Sequence, residues 1–353
     1  MNQPNIQTKI KNSKLAILLH DGLLSRLGKT GVSLLRYSEA EIVAVIDRQH
    51  GGESLVELTK IQRDAPIVAS VAEAIAYEPD ILAIGIAPSG GVLPPEWRDE
   101  IKEAVAAGLS VVNGLHAPLA EEPDLKKLLR PEQWIWDLRR EPPGLSIASA
   151  KARSLSCRRV LTVGTDMAIG KMSTSLELNA AARRRGIRSQ FLATGQAGIM
   201  ISGDGIALDA VRVDFAAGGV ERKVMELGSD CDLLVVEGQG SLLHPGSSAT
   251  LPLLRGTQPT HLILVHLAGL TAVRNHPRAV IPPLSEVVRL YESVAAAGGA
   301  FETAKVAGIA LNTYRLNEEE AREAIALVTA ETDLPCTDPV RFGGDLLLDA
   351  IVN

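Results

Sequence analysis

The chain has 353 residues, 46% of them hydrophobic, enough to bury a core in each of about two domains and too apolar for a disordered chain. A formal net charge of −6 implies no basic face, which excludes nucleic acid as the expected partner. Cys157, Cys231 and Cys336 are odd in number and contain no CxxC pair, so they read as core thiols of a reducing compartment, with no disulfide framework or zinc site.

Met1 to Lys14 is polar and lacks the apolar stretch of a signal peptide, and the later apolar runs are only strand-length. A cytoplasmic protein with no membrane segment is expected. From Lys14 onward, short apolar runs alternate with amphipathic ones. Strands are expected at Leu15–Leu19, Ile42–Ile46, Pro66–Ala69, Ile81–Ile86 and Ser110–Asn113, and helices at Gly31–Arg36, Val71–Tyr77 and Glu96–Ala107. Such alternation is the pattern of a doubly wound parallel sheet. The fold class is therefore α/β, with a Rossmann-like N-terminal domain plus connecting segment over residues 1–150.

Gly22-Leu23-Leu24-Ser25-Arg26-Leu27-Gly28-Lys29-Thr30 matches a phosphate-loop pattern by spacing. Its leucines would put bulky groups where backbone must wrap an anion, so it reads as a structural strand-to-helix turn. Asp47 ends a strand where a ribose-gripping acid would sit, but the preceding turn lacks G-x-G-x-x-G, which leaves an NAD role weak. Pro88-Ser89-Gly90-Gly91 reads equally as a ligand loop or a flexible connection. Trp134-Ile135-Trp136, beside a charged turn, reads as a plug between domains, since nothing basic surrounds it.

The second domain, 151–353, opens on the stretch that organises it. The apolar run Val160–Val163 leads into Gly164-Thr165-Asp166-Met167-Ala168-Ile169-Gly170-Lys171-Met172-Ser173 and then a helix-forming run. Glycines that turn N–H groups inward, a helix N-terminus and a lysine make a phosphate cradle. Two features depart from the common form. Five residues separate the glycines, and Met172 takes the place of the hydroxyl that holds magnesium. Arg183-Arg184-Arg185 reads as the solvated end of the following helix.

Further strands are expected at Ile187–Ala193, Leu233–Val236, Leu262–Val265 and Val306–Leu311, with a helix at Glu318–Val328; Ile199 to Gly219 is unusual, holding Asp204-Gly205, Asp209 and Asp214 among glycines and short apolar groups. Parallel strands deliver their C-terminal ends to one crevice, so Gly164–Lys171, Thr194–Gly198, Glu237–Ser241 with His244, and Asn312 should converge. Glu237 stands where a magnesium-holding acid or general base would stand. Because an imidazole suits proton transfer at neutral pH, His244 is a candidate for that role, with His266 and His116 as weaker ones. Asp204, Asp209 and Asp214 read as a metal or amine site, or equally as a solvated acidic insert.

Two resemblances rest on these residues. Gly164-Thr165-Asp166…Gly170-Lys171, Val236-Glu237-Gly238-Gln239-Gly240 and Asn312 resemble the dethiobiotin synthetase type of phosphate-loop domain, in which the loop binds ATP and an asparagine faces adenine. A resemblance over nearly the whole chain is to a two-domain family that includes D-glutamate N-acetyltransferase. Its hallmarks are Gly28-Lys29-Thr30, Asn113-Gly114-Leu115-His116, Asp137-Leu138-Arg139-Arg140, the loop with its Met172, Thr194-Gly195-Gln196, Gly203-Asp204-Gly205 and Glu237 through Pro245. It implies a P-loop NTPase-like doubly wound second domain and N-acetylation of a small acidic amino acid such as D-glutamate.

A loop that grips phosphates without metal-assisted transfer suits acetyl-CoA. The expected cofactor residues are Gly164 to Ser173 and Asn312, with Glu237 or His244 taking the ammonium proton. Thr194, Gly195, Gln196, Asp204, Gln239 and Arg139 are expected to contact substrate, and Arg140 and Arg274 are further partners for its carboxylates. No resident metal is expected, and a homo-oligomer acting on a small molecule is. Two alternatives remain at this point: an enzyme of the dethiobiotin synthetase type using ATP with Mg²⁺, and a nucleotide- or CoA-binding module without turnover.

Overall fold

The structure, a computed structural model, describes residues 6–86 and 93–353, so the turn Pro88-Ser89-Gly90-Gly91 lies outside the described residues. Two compact units result. One runs to Arg140 and takes back Gln196–Ala207, and the other comprises Glu141–Gly195 and Leu208–Asn353. Along the sequence a single division at 150 is expected; the contacts change unit at Arg140 and twice more around Gln196–Ala207.

The first unit holds α1 (Ile6–Lys11), β1 (Lys14–Leu18), α2 (Lys29–Tyr37), β2 (Glu41–Ile46), α3 (Leu55–Thr59), β3 (Ile67–Val68), α4 (Val71–Ile75), β4 (Ile81–Ile84), α5 (Pro95–Ala107), β5 (Ser110–Asn113), α6 (Pro123–Leu128) and β6 (Ile135–Asp137). Its strands pair in parallel in the order β3-β2-β1-β4-β5-β6, the doubly wound order of dinucleotide-binding folds. Ser54 and Ser70 cap α3 and α4 by accepting N–H bonds from Glu57 and Glu73. Pro95 opens α5 and Gly108, at φ 112°, closes it.

The turn from Gly22 to α2 is packed on itself. A Cβ on Gly28 would fall 2.2 Å from the Gly22 carbonyl oxygen, and the Gly31 N–H, in the first turn of α2, is bonded to the Gly85 carbonyl at 2.8 Å. That turn links β1 to α2. Asp47 accepts the Gln49 N–H at 3.1 Å and so holds its own turn.

Trp134-Ile135-Trp136 runs into the first sheet, with Trp134 and Trp136 half-buried. Ile135–Asp137 is the edge strand β6, paired to β5 through Val111, Val112 and Asn113. Three residues are too few to reveal an alternating pattern, although aromatic and β-branched side chains suit a half-buried edge. Buried Asp137 then accepts N–H bonds from Leu119 and Ala120 and from the Asn113 side chain.

The second unit carries β7 (Arg158–Gly164), α7 (Lys171–Arg184), β8 (Ser189–Leu192), α9 (Val213–Gly228), β9 (Leu233–Val236), α10 (Thr250–Thr257), β10 (His261–Leu267), α11 (Leu284–Ala296), β11 (Lys305–Asn312), α12 (Glu318–Thr332), β12 (Cys336–Thr337), α13 (Pro339–Phe342) and α14 (Asp345–Val352); α8 (Gln196–Ser202) belongs to the first. The sheet order is β12-β11-β10-β7-β9-β8, all parallel. Its core gathers Val160, Leu178, Val235, Ile263, Val265, Ala310 and Leu348, so strand faces and α7 and α14 share one apolar layer.

The glycine-containing stretch Ile199 to Gly219 holds the end of α8, a short helical turn at Leu208–Ala210 and the start of α9. Glycines conceal α9: a Cβ on Gly218 would meet the Ser146 carbonyl oxygen at 1.7 Å, so the helix accepts a poor helix former where another backbone crosses it. Arg184 and Arg185 end α7 in ion pairs with Asp345 and Asp349 of α14. The three cysteines are free and buried. Among the described residues no helix is long and apolar enough to cross a membrane.

Candidate functional site

The site of the second unit grows from the C-terminal end of β7. After Gly164 the chain turns through Ala168, at φ 49°, and Gly170, at φ 115°, and enters α7 with no side chain capping its N-terminus. The first-turn amides and the dipole of a 14-residue helix thus face the loop, as an anion site requires. The Lys171 Nζ reaches back across the loop to the Asp166 carbonyl at 2.7 Å. Met167 and Ala168 are exposed, Ile169 is buried, and Met172 and Ser173 are half-buried in the first turn of α7.

Three long-range partners hold this loop. Asp166 accepts N–H bonds from Met167 at 2.6 Å and, at 3.1 and 3.0 Å, from the backbone and side chain of Arg274, whose guanidinium also bonds the Met167 carbonyl. Burial works against the Asp166 charge, but these bonds outweigh it and hold its carboxyl below the ordinary value. Asn312, at the end of β11, donates to the Ile169 carbonyl at 2.8 Å. Fully buried Tyr291 donates its hydroxyl to the Gly164 carbonyl at 2.7 Å and accepts the Leu242 N–H at 3.1 Å, tying the loop to the turn after β9.

That turn begins at Glu237, which is buried. One carboxylate oxygen accepts the Thr194 and Gly195 N–H bonds at 2.9 and 3.2 Å, the other the Gln239 amide at 3.1 Å, and the Thr194 hydroxyl donates to the Glu237 carbonyl at 2.8 Å. Gly238 follows because nothing larger fits. A Cβ there would lie 1.7 Å from the Thr162 carbonyl oxygen and 3.1 Å from the Lys171 side chain. The Gly238 N–H bonds the Thr162 hydroxyl at 2.9 Å, which also touches Ser175 of α7. Glu237 is therefore one residue from the lysine stem.

His244 is half-buried, and its Nδ1 accepts the Gly246 N–H at 3.0 Å. A neutral ring so engaged carries its proton on Nε2, which makes that nitrogen a donor. His276 stands edge-on to it, with ring centroids 4.9 Å apart, on the segment that also carries Arg274. His266, inside β10, bonds the Thr165 hydroxyl at 2.9 Å, and burial pushes its pKa down to about 4, so the ring is neutral.

Thus the second unit brings together Gly164–Ser173, Thr194, Gly195, Glu237, Gln239, His244, His266 and Asn312. Gln196 and Asp204 belong to the first unit, where Gln196 opens α8 beside Gly114 and Asp204 accepts the Gly205 N–H at 2.7 Å. Arg139 is also in the first unit, as is Arg140, which pairs with Glu121 and Asp137. His116 there is exposed, as are Asp209 and Asp214 in the second unit. Among the described residues no group of three or more His, Cys, Asp or Glu is placed to hold a metal ion. Arg274, read from sequence as a carboxylate partner for substrate, bonds Asp166 through its backbone N–H and its guanidinium. Tyr291, His276 and Thr162 carry no signal in the sequence, since nothing local marks a residue whose partner is distant: Tyr291 bonds Gly164, 127 positions away, and Thr162 bonds Gly238, 76 positions away.

A Rossmann-order sheet followed by a sheet whose central strand feeds a phosphate loop defines a two-domain protein with a C-terminal P-loop domain. The chain belongs to the DUF1611 family: residues 146–348 match its C-terminal domain of unknown function, described as a P-loop domain, and 48–141 its N-terminal Rossmann-like domain. A relative from Tritonibacter scottomollicae, named D-glutamate N-acetyltransferase, is 39% identical over 282 residues, 79% of this chain and 83% of its own. One of the same name from a Pseudoalteromonas species is 35% identical over 284 residues, with the same coverage. The crystal structure of a DUF1611 family protein from Anabaena variabilis, 64% identical, superposes with a TM-score of 0.94 over 96% of this chain and 99% of that one.

Proposed function

We propose that the protein is an N-acetyltransferase that moves the acetyl group of acetyl-CoA to the amine of D-glutamate or a closely similar acidic amino acid. The names of its relatives support the reaction class, and Met172 carries the choice of donor. A thioether is a poor ligand for Mg²⁺, which takes oxygen. A cradle of helix amides and Lys171 therefore suits phosphates that are gripped and not transferred. The loop, with its uncapped helix and positive-φ turn, fits the pyrophosphate of such a donor.

Attack needs the amine neutral. Of the two candidate acceptors, Glu237 fits better, because Nδ1 of His244 is engaged by Gly246 and its other nitrogen is a donor. Glu237 would draw the ammonium to the Thr194–Gly195 and Gln239 corner and receive its proton. The Nε2–H of His244 would polarise the thioester carbonyl, a stabilisation that grows as negative charge develops on that oxygen. Isothermal titration of wild type and Lys171→Ala with acetyl-CoA and with Mg-ATP tests the donor. Acetyl-CoA binding that Lys171→Ala weakens at least about tenfold is expected. Preferential binding of Mg-ATP, with phosphate released on adding an amino acid, would overturn the reading in favour of the dethiobiotin synthetase type.

A further inference from the structure

Beyond the loop, the end of β11 has a feature that phosphate binding does not use. Asn312 bonds the loop at Ile169, and its side-chain oxygen accepts the Tyr314 N–H at 3.2 Å. The turn that follows is stapled from below. Asp338 accepts both the N–H and the hydroxyl of Thr313 at 2.8 and 2.6 Å, and Arg341 donates to the Thr313 and Leu316 carbonyls at 3.1 and 2.7 Å. On this rigid turn the Tyr314 side chain is 62% exposed.

Aromatic residues are scarce in this chain, at 3%, and those with large exposure among the described residues are Tyr77 in the first unit and Tyr314 in the second. Leaving such a ring in water forgoes the gain from burying it. The Arg315 guanidinium lies over the ring, 5.1 Å from its centroid, and Arg315 Nε donates to its hydroxyl at 2.7 Å, so the cation is tied to the ring and backs it. A phosphate cradle with a preorganised aromatic surface two residues from its asparagine suits a ligand that carries both phosphates and a planar base.

We propose that Tyr314, backed by Arg315, is the stacking surface for the purine base of the nucleotide whose phosphates occupy the Gly164–Lys171 loop. This deepens the acetyl-CoA reading and rests on it for the choice of nucleotide. The stacking itself requires only a base and a pyrophosphate. It assigns the turn after β11 to recognition of the donor's base, while the corner at Glu237 serves the amine.

The test is isothermal titration of the full chain with ADP and with inorganic pyrophosphate, for wild type, Tyr314→Ala and Tyr314→Phe. Stacking on one aromatic ring sets the expected loss of ADP affinity in Tyr314→Ala at roughly 5- to 160-fold, with Tyr314→Phe within about threefold of wild type. Pyrophosphate, which has no base, should bind all three alike. Unchanged ADP binding by Tyr314→Ala, an equal loss for pyrophosphate, or no ADP binding by wild type would overturn the proposal. Thiol release from acetyl-CoA by the wild type scores the functional reading separately. Release with Tyr314→Ala indifferent to ADP overturns the stacking surface alone. ADP binding that depends on Tyr314, without release, overturns acetyl transfer and supports the surface.

Discussion

Replacing Glu237 separates its two roles, because glutamine and alanine remove different things. In Glu237→Gln the amide oxygen still accepts the Thr194 and Gly195 N–H bonds, while the new NH₂ group faces the Gln239 amide and the charge is gone. Losing charge assistance from these bonds costs about 1–3 kcal/mol in all. Glu237→Ala leaves two buried backbone donors without an acceptor, at about 1–3 kcal/mol each, so roughly 2–6 kcal/mol. Urea unfolding should therefore rank the proteins wild type, Gln, Ala. If Glu237 accepts the ammonium proton, Glu237→Gln, still folded, should lose about 10²- to 10⁴-fold in thiol release from acetyl-CoA. A Gln variant with wild-type activity refutes the proton role, and an Ala variant as stable as wild type refutes the anchoring role.

Two further outcomes follow from the packing around the loop. Gly238→Ala puts a methyl group 1.7 Å from the Thr162 carbonyl oxygen, so β9 or β7 must shift; a loss of at least about 3 kcal/mol in urea unfolding is expected. His266 supplies a pH dependence. Its folded pKa of about 4 lies below the ordinary 6.5, so its contribution is present above pH 6.5 and is lost as pH falls from there through 4. Between pH 7 and pH 5 this is worth about 2 kcal/mol. Urea midpoints at the two pH values should show that loss in wild type and a correspondingly smaller one in His266→Gln; equal slopes would contradict it.

The fold was legible where each strand announces itself. Leu233–Val236 and Ser110–Asn113 have the bounds expected, because strands buried on both faces of a parallel sheet read as unbroken apolar runs. Where a local rule yields to packing, the sequence misleads: β6 is too short to show a period, and α9 carries glycines that a crossing backbone demands. The phosphate loop was legible from Gly164, Gly170 and Lys171, since its chemistry is local. What holds it was not. Tyr291, Arg274 and Thr162 act through contacts that only the sheet order creates, and Glu237, visible as a strand-end acid, showed nothing of the two N–H bonds it anchors.

The most direct measurement of the central claim is to incubate the purified protein with acetyl-CoA and D-glutamate and to follow free thiol and acylated amino acid by mass spectrometry. Stoichiometric thiol release and N-acetylglutamate, both lost with Lys171→Ala, are predicted. No thiol release with any acidic amino acid of either hand, alongside phosphate release from Mg-ATP when such an amino acid is added, would contradict it.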